Sequence, residues 1–193
     1  ERRMTQPDSR LGQPIRVFFL IRSLGLGGAE RQLVALARGL DKTRFAVTVA
    51  AMYDDGLLGR DLEGVPGVRL VTLGKAGRWD TAGFFRRLWR EVRRDRPHIL
   101  HGYMGGANEI CLALGKLTGA RVIWGVRVSD LDFSQYIWSV GALFRAGAFL
   151  SRQPDLIIAN SHAGRDTHVA SGYDPSRFIV IPNGIDTERF QRD

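Results

Sequence analysis

Ile15-Arg-Val-Phe-Phe-Leu-Ile21 runs directly into Arg22-Ser-Leu-Gly-Leu-Gly-Gly-Ala-Glu30. A short run of β-branched, aromatic and aliphatic residues reads as a buried strand. The glycines behind it read as a tight turn, and Leu33, Leu36, Ala37 and Leu40 follow at helical spacing. The expected helix covers residues 28–40. Strand, glycine turn and helix in that order open a βαβ unit, the building block of a parallel α/β sheet.

The same alternation continues outward to the end of the chain. Strands are expected at 45–51, 68–73, 97–102, 121–126, 155–160 and 178–181. Helices are expected at 81–94, 107–117, 135–151 and 162–171, the first of these stopped by Pro97. The fold class is therefore α/β: a Rossmann-like, doubly wound, mostly parallel sheet. We expect residues 1–14, polar and broken by Pro7 and Pro14, to be a disordered lead, residues 15–186 one domain, and 187–193 the start of a linker. A doubly wound sheet binds its ligand at the carboxyl ends of its strands. That confines the search to the loops at 22–30, 53–57, 102–108, 127–133, 160–165 and 183–186.

Composition excludes several classes. With 44% hydrophobic and 25% charged residues, the 193-residue chain reads as a globular domain. A lone cysteine, Cys111, forbids an internal disulfide and fits a reducing cytoplasm; it sits in an apolar run and reads as a core residue. No stretch reaches the roughly 20 apolar residues of a membrane span. The formal charge of +8 is almost all arginine and suits anionic partners, or else mere arginine-rich usage.

In the first loop, glycines allow close backbone approach and the helix N-terminus favours an anion. The dinucleotide fingerprint G-x-G-x-x-G fails, because Glu30 stands where its third glycine belongs and no acidic residue ends the second strand. No nicotinamide or flavin cofactor is expected on that ground; a purely structural turn stays open. No two histidines lie with a carboxylate at metal-ligand spacing, so no metal is expected. Asp130-Leu-Asp132 has the letters of a metal-binding D-x-D element but follows the fifth strand in a basic loop, where it reads as acceptor-side polarity or helix capping.

The ordered pattern Gly27-Gly-Ala-Glu30, Ile158-Ala-Asn-Ser161, Gly172-Tyr173, Arg177-Phe-Ile-Val-Ile-Pro-Asn-Gly-Ile-Asp186 and Phe190 resembles the family 4 retaining glycosyltransferases of the GT-B fold. The resemblance spans about Ile15 to Phe190 and implies the N-terminal, acceptor-side half of a two-domain enzyme. It implies that Gly27 and Gly28 face the donor diphosphate and that Asn183 and Gly184 form the turn toward the second domain. In the family the loop after the fourth strand often carries H-x-H near the transferred sugar. Here His101 matches the first histidine and Tyr103 replaces the second, so both are candidate catalytic residues. His101 reads equally as a core histidine, while a phenol at 103 keeps a hydrogen-bonding group.

The remaining polar groups of these loops, Asn108, Arg127, Ser129, Asp130, Ser161 and His162, are candidates for binding the acceptor. Arg127 offers a bidentate fork to a phosphate, or else an ion pair to Asp130. His98 reads as packing and His168 as surface. The helix over 81–94 carries Phe84, Phe85, Leu88, Trp89 and Val92 on one face, read as core, and Arg86, Arg87, Arg90, Arg93 and Arg94 on the other, free to meet anionic lipid.

The resemblance implies transfer of a hexose-type sugar from a nucleotide diphosphate sugar, the co-substrate, to a hydroxyl of a sugar or lipid-linked acceptor, without metal or cofactor, in cell-envelope or exopolysaccharide assembly. The expected location is cytoplasmic, with peripheral contact to the membrane. The donor pocket is expected in a C-terminal domain beyond Asp193, which leaves this stretch idle on its own. The rival class is a non-enzymatic basic module for polyanions or nucleic acid, against which the aromatics fail to interleave with basic residues on one strand face.

Overall fold

The computed structural model describes residues 13–54, 56–77, 79–127 and 138–184. The chain order is β1 (Ile15–Ile21), α1 (Gly28–Gly39), β2 (Phe45–Ala51), a 3₁₀ turn (Leu57–Leu62), β3 (Val68–Thr72), α2 (Thr81–Asp95), β4 (Ile99–Tyr103) and α3 (Ala107–Thr118). Then come β5 (Arg121–Val126), α4 (Trp138–Leu150), β6 (Leu156–Ala159), α5 (His162–Ala170), a second 3₁₀ turn (Pro175–Arg177) and β7 (Phe178–Val180). The seven strands form one sheet, ordered β3-β2-β1-β4-β5-β6-β7, and every pairing is parallel. The expected lead before residue 13, the expected linker at 187–193, and Ser129, Asp130 and Asp132 lie outside the described residues.

Strand alternation divides the core into two layers. Phe18, Leu20, Leu100 and Trp124 join Phe84, Leu88 and Val92 of α2 and Cys111 and Leu112 of α3. Val17, Phe19, Ile21, Val47 and Val49 face the other way, onto Leu33, Val34 and Ala37 of α1 and Leu58 and Leu62 of the first 3₁₀ turn. Strand order reverses between β1 and β4, where β1 neighbours β2 on one side and β4 on the other. That reversal opens the crevice at the carboxyl edge.

Three sequence expectations are corrected. β4 starts at Ile99 rather than Pro97 and reaches Tyr103, because proline has no N–H to give the ladder. His98 lies before the strand, exposed, and its Nδ1 accepts the Arg16 amide at 3.1 Å. His168 is buried, not on the surface. Its ring packs 5.3 Å from Phe144 and 5.0 Å from Tyr173, and Nδ1 lies 2.7 Å from the Gly164 carbonyl. The apolar face of α2 is also narrower than its aromatics imply: Phe85 is 44% exposed, while Glu91 is buried. Arg69 of β3 holds Glu91 at 2.9 Å and Asp95 at 2.5 Å, and Thr48 donates to Asp95 at 2.7 Å.

Candidate functional site

His101 and Tyr103 alternate onto the same side of β4 as Phe19 of β1, within the α1 layer. The His101 ring lies 5.1 Å from Phe19 and 4.9 Å from Tyr103. Burial pushes its pKa down to about 3, and the positive charge of Arg127 adds to the effect. His101 is therefore a neutral imidazole. Its Nε2 is buried without a hydrogen-bond partner. A buried polar atom left unpaired marks a place that a polar ligand can satisfy.

Arg127, directly after β5, organises the crevice. Its Nη2 donates to the Tyr103 hydroxyl at 3.1 Å while its guanidinium carbon stands 4.8 Å from the centroid of that ring. Nη1 donates to Asn183 Oδ1 at 2.8 Å, and Nε is buried without a partner. Burial raises the Tyr103 pKa and Arg127 opposes it, so the net direction is up and the phenol stays protonated. Gly125, between the two arms, has no side chain; a Cβ there would come within 3.5 Å of His101 Nε2.

The turn after β7 closes onto α1. The Gln32 amide donates to the Gly184 carbonyl at 2.7 Å and accepts the Gly184 N–H at 3.0 Å. Two-point pairing ties the exit turn to the helix that the glycine loop opens. Gly27 is the N-cap of that helix, Gly28 its first residue and Glu30 the acidic residue of its first turn. The Glu30 carboxylate lies against Gly27 so closely that a Cβ at 27 would collide with it. The acid thus supplies an anion of its own to the helix N-terminus.

His101, Tyr103, Arg127, Asn183 and Gly184 are thus brought together, with Gly27 and Gly28 on the adjoining helix start. Asn108 is buried, donates from Nδ2 to the Gly125 carbonyl at 3.3 Å and leaves Oδ1 without a partner. It sits on α3, in the opposite layer, where it braces the β5 end. Gly102 permits that approach, since a Cβ there would lie 2.6 Å from Asn108 Cα. Ser161 caps α5 by accepting the Gly164 amide at 3.0 Å, and His162 beside it is exposed. Both stand at the end of β6, two strands from His101.

Sequence reading missed a second group on the same edge. Arg22, Tyr53 and Lys75 follow β1, β2 and β3, with Arg22 5.1 Å and Lys75 5.4 Å from the Tyr53 ring centroid. A cavity of about 420 Å³ adjoins, lined by Tyr53, Asp54, Arg60, Glu63 and Thr72 among others. Arg22 and Tyr53 fell within loops singled out beforehand for their place after a strand; nothing in the local text pairs either with Lys75. Among the described residues, no group of three His, Cys, Asp or Glu side chains converges to hold a metal ion.

A family model described as Glycosyltransferase Family 4 matches residues 26–189. No curated protein matches the sequence. Among solved structures, Anabaena HepE in complex with UDP and glucose superposes with a TM-score of 0.70 at 19% identity, covering 93% of this chain and 47% of that one. The UDP-N-acetylglucosamine 2-epimerase from Rickettsia bellii gives 0.56 at 10% identity, covering 89% of this chain and 45% of that one. The kitacinnamycin glycosyltransferase gives 0.55 at 15% identity, covering 90% of this chain and 52% of that one. Such identities carry the fold and not the chemistry. The chain spans about half the length of these structures.

Proposed function

The chain belongs to glycosyltransferase family 4, and from that premise we propose that it is the acceptor-binding, N-terminal domain of a retaining enzyme that moves a hexose-type sugar from a nucleotide diphosphate sugar to a hydroxyl. The observation that carries this reading is the crevice cluster. Buried and unpaired, His101 Nε2 lies on β4 and Arg127 Nε directly after its neighbour β5. UDP and glucose bound to HepE, a chain of the same fold, support a nucleotide sugar as the donor.

The chemistry follows from charge. As the sugar leaves, negative charge grows on the diphosphate, and fixed positive groups in a dry crevice stabilise it without reorganising. Arg127 is such a group, held on two sides by Tyr103 and Asn183. His101 stays neutral, so it orients a sugar hydroxyl through Nε2 rather than carrying charge. Gly27 and Gly28 let the diphosphate approach the start of α1, where it displaces the Glu30 carboxylate from its seat. Asn183 and Gly184 fix the turn toward a second domain, and Ser161 and His162 flank the acceptor. In this reading the nucleotide pocket lies in a second domain outside these 193 residues, which alone turn over little or no donor.

The acceptor is a sugar or a lipid-linked sugar, in cell-envelope or exopolysaccharide assembly, on the cytoplasmic side of a membrane. Support for a peripheral contact comes from α2, whose Arg86, Arg90, Arg93 and Arg94 are exposed beside the partly exposed Phe85. Among the described residues no helix is long and apolar enough to cross a membrane.

A thermal-shift screen of the longer protein against nucleotide sugars, followed by product analysis, tests the reading. A stabilising donor whose sugar is then transferred with retention is the expected outcome. Turnover by the 193-residue chain alone contradicts the division of labour, and salt-sensitive nucleic-acid binding with no sugar transfer favours a polyanion module.

A further inference from the structure

We propose that Arg22, Tyr53 and Lys75 form an anion subsite that takes a phosphoryl group carried by the acceptor. The inference rests on reading this edge as the acceptor wall, and it adds the chemical class of the acceptor.

The three residues leave three adjacent strands in one row. Hydrogen bonds of the sheet type continue past the strand ends: Met52 N–H to Ile21 O at 3.0 Å, Tyr53 N–H to Arg22 O at 3.0 Å, Leu73 N–H to Ala51 O at 2.8 Å, and Lys75 N–H to Met52 O at 2.8 Å. The pairing of the sheet therefore continues beneath the group. Above it two cations stand near one phenol ring, Arg22 at 5.1 Å and Lys75 at 5.4 Å from its centroid. A ring quadrupole attracts each cation but cancels neither charge. Like charges gathered at one place are unfavourable unless an anion joins them.

Among the described residues, neighbouring carboxylates do not serve that purpose fully. Asp80 accepts the Ala76 amide and pairs with Arg87, and Lys75 acts on it only as a more distant charge. Asp54 is exposed and borders the 420 Å³ cavity, which offers room for the hydroxylated remainder of a ligand. A phosphoryl group, with three acceptor oxygens, can meet cations arriving from two directions; a carboxylate matches a single planar fork better. Register completes the case: Ile21, which immediately precedes Arg22, pairs with Tyr103. Arg22 thus lies one strand from Tyr103, whose hydroxyl Arg127 holds, and Lys75 lies two strands farther out on the same edge.

The phosphoryl group has two possible sources, a soluble sugar phosphate or a lipid headgroup. The 193-residue chain is titrated with glucose 6-phosphate, with glucose, and with phosphatidylglycerol vesicles against phosphatidylcholine vesicles. Amide shifts of Arg22, Tyr53 and Lys75 are followed by NMR, with vesicle binding measured by sedimentation. We expect saturable shifts at these residues with the anionic ligand and none with glucose. Arg22→Gln with Lys75→Gln weakens binding at least about tenfold. Arg93→Gln with Arg94→Gln removes the same charge from α2 and leaves the shifts in place. Response to glucose 6-phosphate assigns a soluble acceptor; response to anionic vesicles alone, lost in the Arg22/Lys75 variant, assigns a lipid phosphate. Equal shifts with glucose, no shift with either anion, or equal weakening by the α2 pair overturns the subsite. A longer protein that transfers sugar while these shifts are missing loses the subsite and keeps the transferase reading. Shifts as expected in a protein that transfers no sugar do the reverse.

Discussion

A histidine at residue 101 reads in the sequence equally as a catalytic candidate and as a core histidine, and its surroundings decide its charge. Enclosed by Phe19 and Tyr103, with its pKa lowered to about 3, it cannot carry a proton at neutral pH. The residue type was legible; its burial depended on which side of β4 it faced. Burial also sets the sign of a pH effect. The folded pKa lies below the ordinary 6.5, so the unfolded chain binds the extra proton as pH falls below that value. Stability is fully present above 6.5 and declines toward the folded value. His168, whose pKa burial also lowers, acts in the same direction. Urea unfolding is expected to lose about 2 kcal/mol from His101 alone between neutrality and roughly pH 5. His101→Gln should flatten that decline; an unchanged pH profile in the variant contradicts the assignment.

Elements were easier to read than residues, because periodicity over seven or more positions averages out local noise. β1, β2 and β5 fall at their expected bounds, while β4 was shifted by a proline that reads as strand in composition yet cannot join the ladder. The 3₁₀ turn at Leu57–Leu62 left no signal, being too short for a helical period. α2 was misjudged on one face: its sequence shows aromatics and arginines, whereas the structure buries Glu91 through an arginine from a different strand. Long-range ion pairs leave no trace in local spacing. Burial alone raises the Glu91 pKa, but hydrogen bonds from Arg69 and then Arg90 outweigh it, and the carboxyl ends below its ordinary value of 4.5. That contribution is present above 4.5 and is lost as pH falls through the lower folded value. Arg69→Met is therefore expected to cost about 2 kcal/mol at pH 7, since it leaves Glu91 with Arg90 alone and Asp95 with the Thr48 hydroxyl alone. The cost shrinks in acid, as the Glu91 carboxylate takes up a proton. Chemical unfolding at both pH values checks this; a cost that grows in acid refutes the ion-pair account.

At the scale of the molecule, the strand order makes the site. Placing β1 between β2 and β4 sets the glycine loop beside His101 and Tyr103, and the β5 and β7 ends bring Arg127 and Asn183 to the same opening. The alternation of strands and helices made the parallel sheet legible. The motif blocks made the family legible, and the match over residues 26–189 agrees with them. What no motif carried is the bridge from Arg127 to both Tyr103 and Asn183, which joins parts of the chain far apart in sequence. The most direct measurement is sugar transfer by the longer protein with Arg127→Ala beside the parent, at matched thermal stability. The account predicts a fall in kcat/KM of about 100-fold, the scale of losing one preorganised charge at a departing anion. Unchanged transfer in the variant, or no transfer from any nucleotide sugar by the parent, contradicts it.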